Sequence, residues 1–209
     1  MNKLLLTLLL VSLNSQAFET LGYQWDEKTP LKVYIDKKGM TAANPKLTIP
    51  KFKKAFKTAF DEWNTIVLNK FEMKFVKTPE EANVTFQFFI NHSALMGYIK
   101  PTNREGKLVN KVEIYISGSY DWFYKPKDFE TNGKSVNIYN LFLHELGHVF
   151  GLAHSTLETS DMPTMNKFIT GTTALLSQDD RDGIRSVYSG NRSLRSVLNR
   201  SCKCLCEQH

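Results

Sequence analysis

The chain has 209 residues, which is long enough for one domain with a well-buried core. Its 42% hydrophobic and 23% charged residues are ordinary for a globular protein and exclude a collagen, a coiled coil and a chain disordered throughout. The net charge of +6 comes from basic residues spread along the chain, without aromatic residues interleaved on strands, so nucleic-acid binding is not expected.

The first 17 residues have the organisation of a secretory signal peptide. Lys3 precedes an apolar run over residues 4–13, and Ser15 and Ala17 are small residues at the positions that a signal peptidase recognises. We therefore expect cleavage after Ala17 and a secreted, extracellular protein, or a periplasmic one if it is retained in a bacterial envelope. The run is shorter than the about 20 residues that span a bilayer, so stable membrane insertion is not expected.

Alternating apolar residues predict four strands, because successive side chains of a strand point to opposite faces. The segments are LKVYI (31–35), FEMKFV (71–76), NVTFQFFI (83–90) and VEIYI (112–116). The DKKG that follows the first strand is interpreted as a turn, and residues 91–107 and 118–135 are interpreted as irregular loops. A helix is predicted from Pro50, with an apolar face that runs from Phe52 to Ile66 in three- and four-residue steps.

The C-terminal half predicts two further helices and a tail. Residues 136–150 are apolar almost all round, which is typical of a buried helix. Ser177, with Asp180 three residues later, predicts a capped helix start. We expect one domain over residues 18–188 and a loose, basic tail with three cysteines over 189–209.

Three histidines are concentrated in HELGHVFGLAHS, residues 144–155. His144 and His148 lie four residues apart, so on a helix both imidazoles point from one face and reach one ion. Gly151 is suited to end the helix in a left-handed turn, which brings His154 back as a third ligand. Three neutral imidazoles leave one coordination position open, which is typical of a catalytic zinc site. Zinc lowers the pKa of water toward about 7, and Glu145 is then placed to act as general base and afterwards as general acid.

These residues match the H-E-x-x-H-x-x-G-x-x-H signature of the metzincin zinc endopeptidases. Gly147 and Ser155 make the chain similar to the matrixin branch, and the resemblance extends over residues 22–188. It implies an α+β catalytic domain at 18–188, with a twisted, mixed, mostly parallel five-stranded sheet, three helices and an active-site cleft. It also implies one catalytic Zn²⁺ and a protein or peptide substrate.

The resemblance further implies a methionine in a turn beneath the zinc, and SDMPTMNKF offers Met165, which we prefer, or Met162. It implies that residues 166–170 wall the pocket for the residue that follows the scissile bond. An antiparallel edge strand above the cleft pairs with extended substrate, and our candidate is the predicted strand Val112, Glu113, Ile114, Tyr115 and Ile116.

The chain departs from the family pattern at three points. No cysteine precedes the first strand, so latency of the usual propeptide kind is not expected. A second, structural zinc is in doubt because only His92 and His209 remain outside the motif. Acidic, glycine-rich loops are sparse, so Ca²⁺ binding is left open. We expect a monomer.

All three cysteines, Cys202, Cys204 and Cys206, lie in the last eight residues. The simplest interpretation is a tail with no part in the main chemistry. Because thiolates bind zinc strongly and an odd number leaves one thiol unpaired, the alternatives are a cap on the catalytic zinc, another metal site or a link to a partner.

Two other function classes compete with a peptidase. An exported, non-catalytic binding module would keep the metal only for folding, but folding does not require the acidic residue Glu145. A zinc amidase would use the same ligands, and the long apolar helix followed by glycine and a third histidine disfavours it.

Overall fold

The computed structural model describes residues 17–89, 95–125, 135–157, 163–167, 175–189 and 206–207. These residues form one mixed sheet of seven strands, a separate pair of strands and four helices. In chain order the elements are β1 (Gln24–Trp25), β2 (Leu31–Tyr34), α1 (Lys37–Ala43), α2 (Ile49–Ile66), β3 (Met73–Phe75), β4 (Val84–Phe89), β5 (Leu95–Glu105), β6 (Leu108–Ser117), β7 (Asp121–Phe123), β8 (Ser135–Asn137), α3 (Ile138–Val149), α4 (Gln178–Tyr188) and β9 (Cys206–Glu207).

The strands of the large sheet lie in the order β3-β2-β4-β6-β5-β9, and β1 pairs with the start of β6. Every pair among β1, β2, β3, β4 and β6 is parallel, whereas β5 runs antiparallel to β6 and β9 antiparallel to β5. The expected α+β class with a mostly parallel sheet is confirmed. Within the described residues, the large sheet has two more strands than the expected five, namely β1 and β9, which are too short at two residues each to give a sequence pattern. There is also one more helix than expected, because α1 was not foreseen.

The expectation that residues 112–116 form an edge strand is wrong. These residues lie in β6, where Ile114 is paired with Phe86 of β4 on one side and with Ile99 of β5 on the other. No free edge for a substrate therefore remains along Val112, Glu113, Ile114, Tyr115 and Ile116. The strand next to β6 on the outer side is β5, within the segment that the sequence had suggested to be a loop.

The interpretation of DKKG as a turn is also wrong, because the segment starts α1. Asp36 is the N-cap, and its carboxylate accepts hydrogen bonds from the backbone N–H groups of Lys38 and Gly39. A capping aspartate satisfies N–H groups that the first turn of a helix leaves unpaired. The same tetrapeptide therefore suits a helix start as well as a turn.

Helices α2 and α3 pack against each other and against the sheet to form the main core. The rings of Phe52 and Phe56 meet those of Phe86 and Phe142 at 4.8–5.4 Å, nearly edge to face, a favourable geometry for aromatic pairs. All twelve residues of α3 are buried. The helix that carries the histidine motif is thereby held on all sides. None of the helices in the described ranges is long and apolar enough to cross a membrane.

Candidate metal and catalytic site

The structure brings the three motif histidines together at the C-terminal end of α3 and the turn after it. One ring nitrogen from each of His144, His148 and His154 lies within 4.8 Å of the other two. The Nε2 atoms of His144 and His148 are 2.9 Å apart. The first two side chains are fully buried. This spacing allows the three nitrogens to bind one metal ion.

Two backbone carbonyls fix the tautomers of the first two histidines. His144 Nδ1 lies 2.7 Å from the carbonyl oxygen of Thr164, and His148 Nδ1 lies 2.8 Å from that of Leu152. Because a carbonyl only accepts, each Nδ1 carries the proton and donates it, which leaves the Nε2 lone pair available. The two lone pairs converge, and a cation between them removes their repulsion. Such carbonyl contacts also orient metal-binding imidazoles.

His154 supplies the third nitrogen. Its Nε2 is buried and has no hydrogen-bond partner among the described residues. Buried polar atoms are normally paired, so an unpaired nitrogen at this position needs a ligand of another kind. The donor set therefore fits a zinc ion, for which three imidazoles are a frequent choice.

Burial keeps the three imidazoles neutral. Desolvation lowers the pKa of His144 to about 3 and that of His154 to about 4, with smaller contributions from the charges of His154 and Lys167 respectively. Burial also lowers the pKa of His148 well below its ordinary value. Because a metal competes with protons for each nitrogen, the site can bind a metal at neutral pH without first losing protons.

Gly151 allows the chain to reverse after α3. Its φ is +104°, and a Cβ at this position would overlap the carbonyl oxygen of Tyr23. The N–H of Leu21 donates to the carbonyl of Gly151 at 2.8 Å, so the N-terminal segment passes directly over the turn. Only glycine accommodates both the backbone angle and this close approach.

Glu145 is fully buried on α3, beside the histidines, and β5 covers it. A Cβ built on Gly97 would lie 3.1 Å from Glu145 Oε1 and 2.8 Å from the carbonyl oxygen of Tyr115. A larger residue at position 97 would therefore push β5 away from β6 or displace the carboxylate. The position of Gly97 against Glu145 could not be recognised from the sequence, because it depends on β5, whose polar sequence resembles a loop.

Met165 lies beneath the histidine helix. Its side chain is 2% exposed, and a Cβ on Gly147 would overlap its sulfur atom. Its carbonyl oxygen accepts from the N–H of Ser155 at 2.8 Å. Met165 therefore packs against the motif helix, and it stays our candidate for the methionine that the resemblance implies. Met162 lies outside the described residues, as do residues 168–170 of the expected pocket wall.

Asp180 of α4 holds the turn that contains Met165. Its carboxylate accepts from the N–H groups of Thr164 at 2.8 Å and Met165 at 3.0 Å, and it completes the predicted capping box with Ser177. Burial raises the pKa of Asp180, against the lowering effect of these hydrogen bonds. Since the carbonyl of Thr164 also accepts from His144, α4 positions a candidate metal ligand through one residue. The sequence pattern indicated only the capping role.

The fold and the histidine cluster define a metzincin-type domain, with a mixed sheet, a buried motif helix and a third histidine after a glycine turn. The sequence model of the matrixin family matches residues 24–189. The chain belongs to the matrixin family.

Individual relatives have modest identity. Metalloendoproteinase 4-MMP of Arabidopsis thaliana is 25% identical over 192 residues, which cover 84% of this chain and 51% of the relative. Matrix metalloproteinase-16 of Homo sapiens is 23% identical over 180 residues, 80% of this chain and 28% of the relative. Interstitial collagenase of Equus caballus is 35% identical over 71 residues, 34% of this chain and 15% of the relative. The chain spans about half or less of the length of these relatives.

Proposed function

We propose that this protein is a secreted, zinc-dependent endopeptidase in which His144, His148 and His154 hold the metal. The observation that carries the proposal is the convergence of three neutral imidazoles beside the buried carboxylate of Glu145. When bound, zinc supplies Lewis-acid chemistry, since it polarises a carbonyl group and makes water more acidic.

Glu145 is the proton-transfer group of the proposed reaction. Its carboxylate takes a proton from the attacking water and delivers it to the amine that leaves when the peptide bond breaks. Helix α3 holds this side chain in place, and β5 shields it from bulk water at Gly97. A carboxylate in such a site needs little reorganisation during the reaction, which favours proton transfer.

We propose that β5 takes the role first assigned to residues 112–116. It is the outer neighbour of β6, and Gly97 places it directly against Glu145. An extended peptide that adds to the outer edge of β5 would run past the carboxylate with its backbone hydrogen-bonded. Recognition by strand addition explains how a protease accepts many sequences and cleaves near one position.

The contacts of Phe18 support the proposed signal cleavage after Ala17, although that cleavage would also remove the 3.2 Å hydrogen bonds of Ala17 with Asp179 and Thr156. Residues 1–16 lie outside the described residues. The backbone nitrogen of Phe18 lies 3.0 Å from Asp179 Oδ1, and the other carboxylate oxygen accepts from Ser155 Oγ at 2.7 Å. Cleavage would convert this N–H into an ammonium group that pairs with Asp179. N-terminal sequencing of the exported protein should give Phe-Glu-Thr-Leu-Gly.

The first experiment compares the form that starts at Phe18 with its Glu145→Ala and His154→Ala variants, and with Glu80→Ala as an exposed acidic control. Cleavage of unfolded casein and bound zinc are measured for each. We expect about one zinc in every form except His154→Ala, and a loss of cleavage of about 10²–10⁴-fold in Glu145→Ala. Zinc binding without cleavage by the parent would favour the binding module or the amidase. Absence of zinc from the parent would refute the proposal.

A further inference from the structure

The outer edge of β5 is already occupied by a segment of the same chain. Strand β9 pairs antiparallel with β5, with Cys206 opposite Gly97 and Glu207 opposite Leu95, and the register shifts between these two pairs. On its other side, Gly97 is paired with Ile116 of β6. Within the described residues, β5 thus has a strand neighbour on both sides at this position.

The pairing includes the residue of β5 that lies against the proposed catalytic carboxylate. Gly97 is the residue whose Cβ would come within 3.1 Å of Glu145 Oε1. Neighbouring strands lie about 4.8 Å apart, so the backbone at Cys206 runs one strand spacing away from Gly97. A substrate strand that reaches Glu145 by adding to β5 needs the same position.

A strand edge offers one row of N–H and C=O groups, and that row pairs with one strand at a time. We propose that the C-terminal segment containing Cys206 and Glu207 is an intramolecular competitor that occupies the substrate-binding edge of β5 and restrains the enzyme. This inference rests on the proposed peptidase function and on strand addition to β5. It places restraint at the C-terminal end of the chain, through backbone pairing rather than through a cysteine bound to zinc.

The expected strength of the restraint follows from the size of the pairing. The segment is covalently tethered, so its effective concentration at the edge is in the mM range for a short connection. The pairing covers only two residues of β9, so a longer substrate strand displaces it. We expect removal of the segment to raise kcat/KM for a peptide substrate by about fivefold to tenfold, which corresponds to about 1–1.4 kcal/mol.

The test uses three zinc-loaded forms that start at Phe18 and a fourth form as a matched control. One extends to His209, one ends at Ser201, and one carries Cys206→Pro together with Glu207→Pro. Consecutive strand residues direct their N–H groups to opposite sides, so the double proline removes whichever one faces β5. The matched control, Cys206→Ser with Glu207→Gln, keeps both N–H groups and removes the thiol and the charge.

Two readouts separate this inference from the proposed function. The first is kcat/KM on a quenched fluorescent peptide. The second is amide hydrogen exchange over residues 95–101 in a Glu145→Ala background, which reports strand pairing without any catalysis. Thermal unfolding of each form verifies that it is folded.

We expect the truncated and double-proline forms to be activated to the same extent and to exchange faster over residues 95–101, and the matched control to behave as the full chain. Equal kcat/KM and equal exchange in all forms would overturn the inference while leaving the peptidase intact. Activation of the matched control to the level of the truncated form would show that the thiol or the charge restrains the enzyme, and would also overturn it. Faster exchange in the truncated and double-proline forms, with no cleavage by any form, would instead refute the peptidase function. The proposed restraint of the enzyme would then be refuted as well.

Discussion

The contact between Gly147 and Met165 predicts a strong energetic coupling between the motif helix and the turn beneath it. Alanine at position 147 would gain about 1 kcal/mol of helix propensity over glycine. Its Cβ would overlap the sulfur of Met165 and lie 3.0 Å from Trp63 Cζ2. The indole cannot move freely, because its Nε1 donates to the carbonyl of Leu143 at 2.7 Å. Overpacking of this kind costs about 1–3 kcal/mol, so after the gain in helix propensity we expect Gly147→Ala to lose about 1 kcal/mol of unfolding free energy.

The companion substitution Met165→Ala opens a cavity and should cost about 3 kcal/mol, since the side chain is 2% exposed. In the double variant the overlap disappears, and the new methyl group fills part of the cavity. We therefore expect the double variant to be about 2 kcal/mol more stable than the sum of the single effects predicts.

Urea unfolding of the four forms in a Glu145→Ala background, which prevents self-cleavage, measures this coupling. With an m-value of about 2 kcal/mol per M, each 2 kcal/mol appears as a shift of about 1 M in the midpoint. Met162→Ala is the matched control, and its effect should add to that of Gly147→Ala. Additive behaviour at Met165 together with coupling at Met162 would refute the assignment of Met165 to the turn beneath the histidines.

Three further predictions concern backbone strain, acid and a buried amide. Gly151→Ala should cost about 2–4 kcal/mol of unfolding free energy. Gly106→Ala, where φ is +58° and nothing lies within 4 Å of the added Cβ, should cost only about 1 kcal/mol. Equal losses at the two positions would contradict the reasoning. In the metal-free protein, the lowered pKa values of His144 and His154 mean that the unfolded state binds more protons than the folded state. The contribution of these histidines to stability is therefore complete above pH 6.5 and is lost as the pH falls toward about 4. Urea unfolding between pH 7 and 4 should show a loss of up to about 1.4 kcal/mol per pH unit per histidine, and a flat profile would contradict it. Asn140→Leu should raise stability by about 1–2 kcal/mol, because neither atom of this buried amide has a hydrogen-bond partner among the described residues; a loss would show that the amide is satisfied.

The features that the sequence predicted well depend on local geometry. The capping box of Ser177 and Asp180 involves residues three apart, and the structure contains it as predicted. The convergence of the histidines follows from four-residue helical spacing and one glycine turn. Such patterns are set by neighbours in the chain, so they can be recognised without knowledge of the tertiary fold.

The position of a strand within the sheet could not be predicted in this way. The alternation in residues 112–116 shows that a strand is present and that one of its faces is buried, the face of Val112, Ile114 and Ile116. The alternation gives no information about the neighbours of the strand. Whether that strand is central or at the edge depends on β5, whose residues include Lys100, Pro101 and Arg104 and lack a clear alternation. A strand at the margin of a sheet tolerates proline and charge, so its sequence resembles a loop.

Gly97 connects three properties of the proposed enzyme. Its missing side chain leaves room for the carboxylate of Glu145, its backbone pairs with β6, and its outer edge faces β9. A substitution at this position would therefore alter catalysis, sheet register and the proposed restraint together, whereas changes in β9 alter the restraint alone. Since the carboxylate and the binding edge share one glycine, a peptide aligned on β5 is aligned with Glu145 as well. In the proposed enzyme, binding at the edge and positioning for proton transfer would then be a single event.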